Sequence, residues 1–512
     1  MGSTSEKSAG DREESPLRIN SSGPGTCDDD KVDEVELQDL DRKREEAGGG
    51  RRQFPRLGLD ALVHESRPSG EPNEDGTYQF YKVYKRRWFG LVQLTLLNIV
   101  VSWEWLTFSP VATIAAEFFN TDESAINWIS TAFLFAFVVV VPLVIYVLHW
   151  GPKPSIVAAS VLMLAGSWIR YGGVLAHPHN FGVVMFGQIL IGFSQPFVLA
   201  APTRYSDLWL TSRGRVAATA LMSLANPFGA ALGQLIIPFW VYSPSDIPNA
   251  VLYLAIIATV ACVPSFFIPA KPPTPPSASG ETVKLDLHVS VPRMLGSLEV
   301  WLIFIPFVVY VGFFNSISTI LNQVMVPYGF TDTDAGIAGA VLIVVGLVSA
   351  AITSPILDRT KAFLLAIKIA VPVIGLCYLA FVWMPGTRSD AGPYIVLAIL
   401  GAASFSLVPV AMEYLVELTH PVSPEVTSTV AWAGGQLLGA LFIIISNALR
   451  AGPDADPPNN MNKAMIFQAI IAMVAFPVPL FLGLFGRRDK VVLRRILSDQ
   501  EEGPHGAPAP QE

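Results

Sequence analysis

The chain has 512 residues, of which 51% are hydrophobic and only 15% charged, with a formal net charge of −8. Soluble proteins carry about 25% charged residues, so this composition excludes an ordinary water-soluble domain. The net charge says little about partners, because a polar N-terminal stretch dominates it.

Residues 1–87 alternate acidic, basic and Gly/Ser blocks, among them Asp28-Asp29-Asp30, Arg42-Lys43-Arg44 and Gly48-Gly49-Gly50. Such a segment buries too little apolar surface to offset chain entropy, which predicts a disordered tail. The first apolar run starts near Trp88, too late for a signal peptide, so the first span serves as its own insertion signal. Twelve apolar stretches follow, each about 20 residues, the length a helix needs to cross the hydrocarbon core. They are expected at 88–109, 125–148, 155–175, 181–202, 216–240 and 249–268, then at 299–322, 335–357, 363–384, 392–416, 427–449 and 463–485. Between the sixes lies a hydrophilic connector, 269–298, whose Pro272-Pro273 and Pro275-Pro276 mark an extended linker. A second tail, 486–512, closes the chain. Cys27, Cys262 and Cys377 are odd in number and lack paired spacing, so no structural disulfide is expected.

Lys and Arg concentrate on one set of connections: Lys85 to Arg87, Lys153, Arg213, Arg215, Lys271, Lys284, Arg293, Arg359, Lys361 and Arg487 to Lys490. The opposite set carries Arg388, Arg450 and Lys463. Both termini and the linker are therefore expected in the cytosol. The small-xxx-small pattern Gly229 to Gly233 recurs at the equivalent place of the second half, Gly435 to Gly439. The expected fold class is an all-α membrane protein of 12 transmembrane helices in two six-helix bundles, 88–268 and 299–485. That layout is the major facilitator architecture, with a midplane cavity between the halves.

Several polar and aromatic residues within the spans are candidates for function. Glu104 sits about two-thirds along the first span, where a carboxylate costs roughly 2.5–3.5 kcal/mol and usually faces a cavity or a partner. Trp103 and Trp105 flank it. On the seventh span Tyr310, Phe314, Ser318 and Asn322 recur every four residues and are expected on one face. Aromatic faces suit a soft cation such as a quaternary ammonium; helix packing or an interfacial belt is the other reading of these rings. Gln195 and Gln436 are amides in apolar helices that need hydrogen-bond partners, from protein, water or substrate. Arg204 and Asp207 end the fourth span as Glu413 and Glu417 end the tenth, suggesting a charged gate; Asp358 and Arg359 add a charged loop after the eighth. Arg170, toward the end of the third span, can snorkel to the interface. His177 and His179 lack a third ligand, so no metal site is expected. No phosphate loop or nucleophile elbow is present, so neither enzyme activity nor a cofactor is expected.

The strings Trp105-Leu106-Thr107-Phe108-Ser109, Asn127-Trp128-Ile129-Ser130, Gly166 to Arg170, Gly187-Gln188 through Gln195, and Pro202-Thr203-Arg204 to Trp209 recur in an order that is familiar. With Ser316 to Gln323, Glu413 to Glu417, Thr419-His420-Pro421 and Gly435-Gln436, they resemble the feline leukaemia virus subgroup C receptor-related family of major facilitators, over about residues 88–485. The resemblance implies transport of choline or ethanolamine, with heme also proposed for the family. It further implies a ligand cage matching Trp105, Gln195 and Gln436. The family's seventh-span tyrosine aligns with Phe314, which loses a hydroxyl but keeps a ring face, and Glu104 replaces a more usual amide. The leading expectation is a transporter of a small cationic or amine-bearing metabolite, working by alternating access in a lipid bilayer, facilitated or gradient-coupled. A heme or other organic-metabolite exporter and a non-transporting sensor or receptor remain alternatives. No nucleic-acid partner is expected; a plasma-membrane location and a monomer follow the habit of the family and fold.

Overall fold

The computed structural model of the protein describes residues 84–210, 212–273, 296–360, 362–419 and 424–482, with a strand pair ahead of them. The chain divides into two units, Met1–Val63 and His64–Glu512. The first unit, including Cys27, lies outside the described residues, as do most of the 269–298 linker and all of the 486–512 tail. Within the expected 1–87 tail, β1 (Arg67–Pro68) and β2 (Phe80–Tyr81) pair antiparallel, with Arg67 opposite Tyr81.

Twelve segments among the described residues are long and apolar enough to cross a membrane. The protein is an integral, multi-pass membrane protein. Its surface carries large apolar side chains such as Val139, Val260, Val348, Ile369 and Val474, a pattern that suits lipid rather than water. In the first half the helices are α1 (Arg87–Trp105), α2 (Ala112–Phe119), α3 (Glu123–Trp150), α4 (Pro152–Leu175), α5 (Phe181–Trp209), α6 (Ser212–Trp240) and α7 (Ile247–Cys262). The second half contains α8 (Leu298–Met325), α9 (Asp332–Thr360), α10 (Phe363–Phe381), α11 (Ala391–Thr419), α12 (Pro424–Ala448) and α13 (Asn462–Ala475).

Local chemistry sets the ends. Asp122 caps α3 by accepting the Ala125 N–H, and Asn180 caps α5 by accepting that of Val183. Gly151, at φ 131°, stops α3, and Pro152 starts α4 without a pause. The first span departs from the sequence expectation of 88–109: it runs Arg87–Phe119, broken in the middle. α1 stops at Trp105, and Pro110 then opens a 3-10 turn, Ser109–Val111, that leads into α2. The proline marks an interruption of the span, not its end.

Helix pairings repeat between the halves. The first span packs on the fifth as the seventh does on the eleventh; the second on the fourth as the eighth on the tenth; the third on the sixth as the ninth on the twelfth. The small-residue motifs explain the first of these. A Cβ on Gly229 would overlap the Ile99 carbonyl of α1, and one on Gly435 would overlap Val311 of α8. The bundles meet through the fifth and eighth spans and through the second and eleventh, again a symmetric pair.

Candidate substrate-binding site

The break in the first span organises the site. α1 ends at Trp105, with Leu106 outside helical geometry at φ −95°, ψ 32°. The last carbonyls of a helix have no partner within it, and here they lie deep in the bundle. The Glu104 carbonyl accepts from Arg170 Nη1 at 2.9 Å and from Thr107 Oγ1 at 2.8 Å. Gln188 Nε2 reaches both the Glu104 and the Trp105 carbonyls at 3.4 Å, and its own oxygen accepts from Arg170 Nη1 at 2.7 Å. Arg170 is therefore not at the interface as expected: it is 0% exposed, because a helix end on α1 needs a donor that reaches it from α4.

Glu104 turns into this same cluster. Its Oε1 accepts from Ser167 Oγ at 2.5 Å and lies 3.5 Å from Arg170 Nη2, both ionic side chains being wholly buried. The Arg170 guanidinium also sits 5.8 Å from the Phe108 ring centroid. Glu104 Oε2 and Arg170 Nε have no hydrogen-bond partner. Lower in the same bundle a second polar group joins Gln93, Ser160 and Ser265, the hydroxyls 2.7 Å apart.

Trp105 is buried and its indole stacks on Phe133 at 6.0 Å between centroids, 17° between planes. Its Nε1 has no hydrogen-bond partner, and neither has Gln195 Oε1, also buried. Gln436 is engaged: its oxygen accepts from Asn315 Nδ2 at 2.9 Å. Phe314 is half-buried and meets Phe405 edge-on at 5.3 Å. Tyr310, expected on one face with Phe314, Ser318 and Asn322, donates its hydroxyl to the Ala472 carbonyl on α13 at 3.3 Å, whereas Asn322 donates to the Pro110 carbonyl of the other bundle. Trp103, the other flank of Glu104, stacks on Trp240 within the first bundle.

A polar clasp joins the bundles at the end of the spans where the second span begins and the seventh ends. Asn127 and Gln323 exchange amide hydrogen bonds in both directions, at 2.9 and 2.8 Å, and Asn127 also donates to Asn447 at 2.6 Å. Asn322 donates to the Pro110 carbonyl in the break at 2.8 Å, and Gln234 donates to the Ser318 carbonyl at 2.5 Å. Toward solvent, Arg450 pairs with Glu123 at 2.9 Å. The sequence reading named Asn127, Asn322, Gln323 and Arg450 for other reasons and did not anticipate these pairings, although amides within two turns of a span end were a usable signal. At the opposite end, Arg204 is half-buried; the side chains of Asp207, Asp358, Arg359, Glu413 and Glu417, the remaining gate candidates, lie outside the described residues. Among the described residues no three His, Cys, Asp or Glu side chains gather as metal ligands would.

The clasp carries a testable consequence. Asn127→Ala strands the Gln323 and Asn447 amides, and an unsatisfied buried polar group costs about 1–3 kcal/mol. The closed state at this end should lose that much, a population shift of about 5- to 150-fold. Spin labels at exposed Asp122 and Asp454, one per bundle, should then show a longer distance distribution; an unchanged distribution would mean the amides do not hold this end shut.

Comparison with known proteins places these features in context. Residues 94–445 match the Major Facilitator Superfamily. Solute carrier family 49 member A3 of Danio rerio is 33% identical over 385 residues, covering 74% of this chain and 81% of that protein. Choline/ethanolamine transporter FLVCR2 of Homo sapiens is 23% identical over 453 residues, 84% of each chain. Among solved structures, a D-xylose-proton symporter superposes with a TM-score of 0.58 at 14% identity, covering 76% of this chain and 97% of its own.

Proposed function

Because the chain belongs to the major facilitator superfamily, in the branch that includes the feline leukaemia virus subgroup C receptor-related transporters, we propose that it moves a small cationic or amine-bearing metabolite of the choline/ethanolamine class by alternating access. The observation that carries the reading is the pair of unpartnered polar atoms, the Trp105 indole N–H and the Gln195 carbonyl oxygen, buried on the first and fourth spans. One offers a donor and a π-face, the other an acceptor. An amino alcohol supplies a cation for the ring face and a hydroxyl that can accept from the indole N–H or donate to the amide oxygen. Phe314 adds a ring face without a hydroxyl, which favours a methylated ammonium over a primary amine. Glu104 serves as the counter-charge of Arg170 rather than as a substrate ligand.

The Lys and Arg distribution supports cytosolic termini, which puts the Asn127–Gln323 clasp at the outer surface and makes this the state closed to the outside. A plasma-membrane site of action belongs to the same proposal and is carried over from the family resemblance alone. The test is uptake of radiolabelled choline and ethanolamine by the purified protein in liposomes, with and without a pH gradient. Saturable choline flux is expected, with ethanolamine the weaker substrate. Phe314→Tyr should narrow that preference, by roughly fivefold for one restored hydrogen bond. Folded protein that moves neither amine would refute the substrate class.

A further inference from the structure

We propose that Arg170 and Gln188 are positioning residues for substrate recognition: they terminate α1 and thereby fix Trp105 at the site. The inference rests on the reading of Trp105 as a substrate contact. It begins with the question of why an arginine is retained, wholly buried, in the middle of an apolar bundle. An ion pair with Glu104 alone is a poor reason, since two apolar residues of similar volume would often be as stable.

The helix end supplies the reason. α1 stops at Trp105, and regular structure resumes only at Ser109. The carbonyls left open carry the negative end of the helix dipole, and hydrocarbon offers no water to satisfy them. Arg170 and Gln188 take the place of that water. The Nη1 of Arg170 donates both to the Glu104 carbonyl and to Gln188, while Nη2 faces the Glu104 carboxylate. Gln188, held in this way, reaches on to the carbonyl of Trp105 itself. A planar fork with several donors suits this task; a lysine is a single point charge and cannot span it.

The consequence falls on one residue. Trp105 is the last residue of α1: its backbone is held by Gln188 and its ring by Phe133. One further residue of helix, or one fewer, rotates a side chain by about 100°. Freeing the carbonyls therefore frees the direction in which the indole points. On the far side of the break the Pro110 carbonyl is held by Asn322 of the other bundle. The part beyond the break is held by Asn322 from the other bundle and by Ser130 and the apolar packing of α2 within the first, whereas Arg170 secures the part that carries Trp105.

The experiment measures choline uptake against concentration in proteoliposomes for Arg170→Lys, Gln188→Leu, the charge-neutral double variant Glu104→Gln/Arg170→Gln, and Trp105→Phe. A role in charge balance alone is rescued by lysine and by the double variant. A positioning role is rescued by neither. The expected result is a KM raised about tenfold in Arg170→Lys and in the double variant, and severalfold in Gln188→Leu, as small misplacements of binding groups do, with maximal rate within about twofold of wild type. Wild-type KM in Arg170→Lys and Gln188→Leu, alongside a raised KM in Trp105→Phe, overturns this inference and leaves the substrate reading standing. Wild-type KM in Trp105→Phe overturns both. Should Arg170→Lys fail to fold, Gln188→Leu, which alters no charge, decides the matter.

Discussion

Trp105→Phe should weaken choline uptake about tenfold and Trp105→Ala should abolish it. The indole offers two interactions. Its unpartnered N–H contributes about 0.5–1.5 kcal/mol once it finds an acceptor. The ring face contributes about 2 kcal/mol to a desolvated cation, tryptophan being the best of the aromatics. Phenylalanine keeps a weaker face and loses the donor, a deficit near the 1.4 kcal/mol that equals one decade of affinity. Alanine loses both and also the stack on Phe133, which costs about 3–5 kcal/mol of stability for a buried aromatic. The phenylalanine variant is therefore the informative one: its thermal melt should stay close to wild type while KM rises. A Trp105→Phe protein with unchanged KM would show that the indole belongs to the packing between the first and second spans.

Breaking the Glu104–Arg170 pair should be the most destabilising single change available in the first bundle. Glu104→Gln preserves shape but leaves a guanidinium with no counter-ion at 0% exposure, and Arg170→Met does the same to the carboxylate. Removing one member of a buried pair costs about 3–5 kcal/mol, so each variant should melt well below wild type in detergent. Glu104→Gln/Arg170→Met removes both charges and should recover most of the loss. The remainder reports the uncapped carbonyls of α1, worth about 1–3 kcal/mol for a buried unsatisfied group. Single variants that melt with wild type would show that the pair contributes nothing. A double variant no better than Arg170→Met, with Glu104→Gln melting close to wild type, would assign the whole effect to the helix cap.

The architecture was legible from apolar length alone, because a span must be about 20 residues whatever it packs against. The matched motifs at Gly229 and Gly435 were equally legible, since close backbone approach demands small residues and both halves use it alike. The candidate site was legible only in part. Trp105 and Gln195 stood out as an aromatic and an amide within apolar spans, and only the family resemblance placed them in a ligand cage. Which way a side chain faces in an all-apolar helix has no local signature, so Arg170 was assigned to the interface and Tyr310 to the working face. Ser160, Ser167 and Arg170, spaced seven and three apart on α4, did mark an inward polar stripe. The clasp was hidden for another reason: Asn127 and Gln323 are 196 residues apart, and nothing in either neighbourhood names the other. The first span was expected to end at 109, and its continuation to Phe119 was not anticipated, because proline signals both a stop and a restart.

The buried Glu104–Arg170 pair also constrains how the protein is made. An isolated third span would enter the bilayer carrying an arginine five residues from the end of α4, a charge that costs about 2.5–3.5 kcal/mol at a helix centre and less toward the interface. Synthesis proceeds from the N-terminus, so the first span, with Glu104, is already in place when the third emerges. The acid thus waits in the membrane as a docking point for the base, and losing it would compromise retention of the third span during biogenesis, before any tertiary bundle exists to be stabilised.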